Sequence, residues 1–181
     1  MKKNVQMIFL IALFCFAAAP AFAEYAPKVS AEPRNPAVGH LQHLTELLTD
    51  GQEGYEISSD AVKHPELKRQ FMEYAKQRAD FLDAVKKEVA TLGGDPNEGA
   101  SVMGTAHRGW MNIRAAVTKK DDQAIVDEVL RGERAALDGY QETLNKDLPK
   151  STRSLLEKQR SDIQKAYDRV KSIDIKQQNQ A

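Results

Sequence analysis

Cysteine is nearly missing from this 181-residue chain; the one present, Cys15, lies in an apolar leader. Without that leader, no disulfide framework, thiolate nucleophile, iron–sulfur ligand or zinc knuckle is available. Histidine is scarce as well: His40, His43, His64 and His107 are the whole supply. No Cys-x-x-Cys-His segment exists to attach a haem. Neither sign of charge is in excess, since 26 basic residues face 26 acidic ones. A nucleic-acid partner, which calls for a clustered basic surface, is therefore not expected. Gly93-Gly94 has no Gly-Lys-Ser/Thr after it and no strand before it, so it reads as a helix stop and not a phosphate loop. Ser58, Ser59 and Ser101 lack a recognisable base and oxyanion motif, which sets nucleophilic catalysis aside.

The longest apolar run, Met7 to Ala19, is roughly 13 residues, short of the ~20 that span a bilayer. It follows Lys2 and Lys3 and precedes Ala21-Phe22-Ala23, a small-residue cleavage box. Residues 1–23 are thus expected to be a secretory signal, with the mature chain starting at Glu24, exported to the periplasm and not stably inserted in the membrane. The mature chain keeps 24 basic and 26 acidic residues, a formal charge of −2. Residues 24–36 carry Pro27, Pro33 and Pro36 without periodicity and read as an extended tether. Residues 176–181 read as a polar tail. Residues 37–175 are expected to form one domain, long enough to bury a core.

Five helical patterns fill that domain, and no strand pattern appears. Helix A covers about 37–62, with Leu41, Leu44, Leu48, Tyr55 and Val62 on one face. Helix B opens at His64-Pro65, a proline at its first position, and stops at Gly93-Gly94-Asp95-Pro96. The shorter helix C covers about 100–118. Helix D starts at Asp121 or Asp122, either a good cap, and runs to 146. Helix E follows Leu148-Pro149 and continues to about 174. Short joints A–B and D–E give two antiparallel hairpins, while helix C can carry the chain back along the bundle. The expected architecture is all-α: four long helices with one crossover. A plain five-helix up-and-down array is the rival.

Helix B contains an anomaly. At about 100° per residue, Leu67, Phe71, Tyr74, Phe81, Val85, Val89 and Leu92 share one face, and Arg78 falls in its middle. A cation there needs a partner, because burying an unpaired charge is costly. The inward polar residues near mid-helix elsewhere are Gln52 and Ser59 on helix A, Glu133 on helix D and Gln159 on helix E. An Arg78–Glu133 ion pair across the core is expected, with Gln52, Ser59 and Gln159 satisfying the spare groups. The alternative is that Arg78, with Tyr55, Tyr140 and Tyr167, forms a pocket for an anion or small ligand.

The segments Asp50-Gly51-Gln52-Glu53-Gly54-Tyr55-Glu56, Gln77-Arg78, Leu92-Gly93-Gly94-Asp95-Pro96, His107-Arg108-Gly109-Trp110-Met111 and Arg131-Gly132-Glu133 resemble an uncharacterised bacterial family of ferritin-like four-helix bundles, catalogued as a domain of unknown function. The likeness runs from about Leu41 to Val170, with the His-Arg-Gly-Trp segment its most specific part. It implies a ferritin-like fold and carries no activity with it. Leu130 and Tyr167 stand where many relatives are expected to have a glutamate and a histidine.

A ferritin-like bundle brings to mind a di-iron or di-manganese carboxylate centre, built from inward glutamates and paired Glu-x-x-His segments. No Glu-x-x-His occurs in this chain. Glu133 points inward, Glu56 sits at the edge of helix A's stripe, and Glu53, Glu73, Glu142 and Glu157 point away. Glu56, Glu133 and His107 are the remaining candidates for a single iron or manganese ion. The sequence therefore favours an exported bundle without a catalytic motif, acting as a structural, stress-related or interaction module. A metal-dependent redox protein is the alternative. Ile57 and Leu130, apolar and off the main stripes, hint at a homodimer or another protein partner.

Overall fold

The computed structural model describes residues 35–98, 113–118 and 121–173, all within the compact unit Glu32–Ala181. The expected signal, most of the tether, the first part of helix C with His107, and the polar tail lie outside the described residues. Five helices and no strand are found among the described residues: α1 (Ala37–Ala61), α2 (Pro65–Thr91), α3 (Ile113–Thr118), α4 (Asp122–Leu144) and α5 (Lys150–Ser172).

Each long helix is bounded by groups that satisfy its free backbone atoms. The Asn35 side-chain oxygen accepts from the Ala37 N–H at 3.0 Å where α1 begins. Pro65 occupies the first turn of α2, and the His64 ring accepts from the Leu67 N–H. That helix ends in a Schellman turn: Gly94 N–H donates to Val89 and Gly93 N–H to Ala90, with Gly93 at φ 79°. Only glycine takes that φ without strain. Of the two aspartates offered as the α4 cap, Asp121 does the capping, accepting from Gln123 N–H at 3.0 Å. Asp122 reaches instead to the α1–α2 joint and accepts from the N–H groups of Lys63 and His64. On α5, Arg153 donates to the carbonyls of Leu144 and Lys146 and so closes the C-terminal end of α4.

Which helices are neighbours follows from where they touch. α1 lies beside α2 and α4; α5 lies beside α4 and, more sparsely, α2. The Asp122 bonds put the end of α1 at the start of α4, and the bond from Gln42 to the Asp95 carbonyl puts the end of α2 at the start of α1. Thr152 donates to Glu88, and Arg169 donates to Glu66, so α5 runs against α2. The order is up, down, down, up. α2 and α4 run the same way on one diagonal, and the chain between them must travel the length of the bundle, roughly 40 Å. α3 lies on that connection and packs on α4 and α1. A plain five-helix up-and-down array would also run α2 and α4 the same way, but would place α3 between them rather than bring α1 beside α4.

The apolar core is in two parts. One holds Leu41, Leu44, Leu48, Val85, Val89, Tyr140, Leu156 and Ile163; the other holds Tyr55, Leu67, Phe71, Ile113, Ile125, Val129 and Val170. Between them lies a polar layer. Ile57 and Leu130, offered as surface residues for a dimer, are half-buried and pack against the second part.

Candidate functional site

The polar layer is centred on Arg78 of α2 and Glu133 of α4, each 1% exposed. Both stand on the buried faces of their helices because the positions around them are apolar: Phe71, Ala75, Leu82 and Val85 flank the arginine, and Val129, Ala136 and Tyr140 flank the glutamate. One terminal nitrogen of the Arg78 guanidinium donates to both carboxylate oxygens of Glu133, at 2.6 and 2.7 Å. The other donates to the side-chain oxygen of Gln77. Charge-assisted bonds of this kind are about twice as strong as neutral ones. The rings of Tyr55 and Phe81 stand 5.6 and 5.8 Å from the guanidinium carbon, adding cation–π attraction. Gly51 of α1 leaves room for the arginine's methylene stem, which would lie 3.6 Å from a side-chain carbon placed there.

The electrostatics keep Arg78 charged and the buried tyrosines beside it neutral. Burial pulls the Arg78 pKa down, but the Glu133 carboxylate and the bond to it, with Tyr55, outweigh that pull and the net direction is up. Tyr55, wholly buried, has its pKa driven well above the usual value, first by burial and then by the Glu133 charge. Tyr140 is raised as well, by burial, with Arg78 opposing and Glu133 adding. Its hydroxyl donates to the Gln159 side-chain oxygen at 2.7 Å, and Gln159 donates to the Phe81 carbonyl.

Of the five residues expected in the buried network, the structure therefore joins Arg78 to Glu133. Gln159 is buried but engages Tyr140. Gln52 is only half-buried and donates along its own helix to Glu56, and Ser59 donates to the Glu56 carbonyl. Both residues find partners on their own helix sooner than across the core: the short Ser59 hydroxyl bonds a carbonyl one turn back, and Gln52 pairs with the side chain four residues on. Tyr167, expected beside Arg78, is also elsewhere. It is half-buried, accepts from Arg134 at 2.6 Å and stacks beneath that guanidinium. The bond from Arg78 to Gln77 was not expected. The adjacency of Gln77 in the chain was the available signal.

The metal candidates do not converge. Glu56 is exposed and bonded to Gln52, Glu133 has both oxygens taken by Arg78, and His107 lies outside the described residues. Among the described residues no group of three or more histidine, cysteine, aspartate or glutamate side chains is placed to hold a metal ion. The donor set is a poor fit for a divalent ion, since the guanidinium would repel it. No described helix is long and apolar enough to cross a membrane.

One family model matches the chain, that of the domain of unknown function DUF2383, over residues 36–146. The match takes in α1 to α4, and with them Arg78 and Glu133. No curated protein matches the chain.

Proposed function

The chain belongs to the DUF2383 family, and we propose that in this member a ferritin-like frame serves as a closed, non-catalytic bundle, exported to the periplasm as a structural, stress-related or interaction module. The ferritin-like part of the proposal is supported by the helix order, with two antiparallel hairpins joined by one long connection. The leader pattern of residues 1–23 supports export. A cleaved signal predicts that the protein isolated from the periplasmic fraction begins at Glu24, which N-terminal sequencing reads directly; recovery of the intact leader from the cytosol would contradict it.

The observation that carries the non-catalytic reading is the capture of both Glu133 oxygens by Arg78. In a carboxylate metal centre that position would supply negative charge to the ions. Here the charge is already neutralised by a residue that cannot be deprotonated. The test is metal content after the full chain is reconstituted with iron or manganese. Fewer than about 0.1 equivalents are expected, against the full equivalent that a complete ligand set holds. A stoichiometric, tightly held ion would favour the redox reading instead.

A further inference from the structure

A second cluster of charge lies outside the core, in a cavity of about 220 Å³ between α4 and α5. Arg134, Leu137 and Asp138 of α4 and Arg160, Gln164 and Tyr167 of α5 line it. The two guanidiniums come from antiparallel neighbours. Arg160 is half-buried, and its Nε, shielded from solvent, has no hydrogen-bond partner among the described residues. Nε is thus closed to a solute as well, and a ligand in the cavity would meet the Arg160 side chain through its terminal nitrogens. Arg134 is anchored by its bond to the Tyr167 hydroxyl and by lying 5.4 Å from the centre of that ring. A guanidinium has five N–H donors, so most of those on Arg134 remain to meet a ligand. Tyr167, accepting from Arg134, keeps its own proton to donate. Lys171 stands 5.9 Å from the same ring and adds positive charge beside it.

We propose that this groove is a binding site for a small oxyanion, a carboxylate or a phosphate group, held between Arg134 and Arg160 with the Tyr167 hydroxyl as a further donor. Planar guanidinium forks match both kinds of oxyanion. The opposing charges are Asp138, exposed on the groove's edge, and Asp168, which takes the Gln164 amide at 3.0 Å. Asp138 weakens binding through like-charge repulsion, and this gives the site a signature.

The test is calorimetric titration of the full chain with inorganic phosphate and, separately, with acetate, at constant ionic strength in chloride. Saturable one-to-one binding of at least one of them is expected, and which one binds identifies the ligand's oxyanion. Arg160→Gln should weaken binding by about tenfold or more. Asp138→Asn should strengthen it, by up to about fivefold. Circular dichroism checks that Arg160→Gln still folds; if it does not, Arg134→Gln, at an exposed position, must show the loss instead. Absence of saturable binding, or affinity unchanged in both arginine variants, overturns the proposal.

Discussion

Arg78 is where residue-level reasoning goes furthest. Its place in an apolar stripe is visible in the sequence, and so is that of Glu133, because a helical period puts both among residues that must be buried. Their meeting is visible only as an expectation, since it depends on how α2 and α4 are set against one another. The bonds of Gln52 and Ser59 were not legible at all, because a rotamer decides between a partner in the same turn and one across the core. Tyr140 shows what the layer does to its neighbours. Its folded-state pKa is raised above the value of about 10 that it has when unfolded. The stability this represents is present in full below pH ~10 and is lost as pH rises beyond it, because the unfolded chain then releases protons that the folded one keeps. Tyr55 acts in the same direction. Urea midpoints measured from pH 8 to 11 should fall above pH ~10, and less steeply in Tyr140→Phe. At pH 7 the same variant should lose about 1–2 kcal/mol, because the Gln159 oxygen is left without its donor.

At the scale of the element, the helix limits were the most legible part, because stops and caps are chemical. Pro65, Asp121 and the Gly93 turn act where the sequence places them, and the ends of the four long helices differ from expectation by no more than about two residues, the usual fraying. The packing role of each glycine was not legible. Gly51 and Gly139 both sit mid-helix on buried faces, yet a methyl group at Gly51 would make ordinary contact with the stem of Arg78, whereas at Gly139 it would come within 2.3 Å of Leu47 of α1. Gly51→Ala should therefore be neutral or stabilising by up to about 1 kcal/mol, from helix propensity alone. Gly139→Ala should cost about 1–3 kcal/mol through forced repacking. Thermal unfolding of the two variants side by side checks the contrast; equal effects would mean that α1 and α4 are not in such close contact.

For the molecule as a whole, the sequence supports a bundle with one crossover through the lengths of its helices and joints, while the neighbour order that separates this from an up-and-down array needs coordinates. That order gives the ion pair its significance. α2 and α4 stand across the bundle from one another and otherwise scarcely touch, so the Arg78–Glu133 bonds tie the two hairpins together through the middle of the core. A buried pair of this kind contributes little net stability compared with an apolar replacement, but losing one partner strands a charge. Its value lies in fixing which layers of the two hairpins face each other. The most direct measurement is a double-mutant cycle in urea with Arg78→Met, Glu133→Leu and the combined variant. Each single change should cost roughly 3–5 kcal/mol, and the combination should recover most of that loss. Single changes that destabilise no more than the double one would show that the two residues do not depend on each other, and the account of a core closed by their pairing would fail.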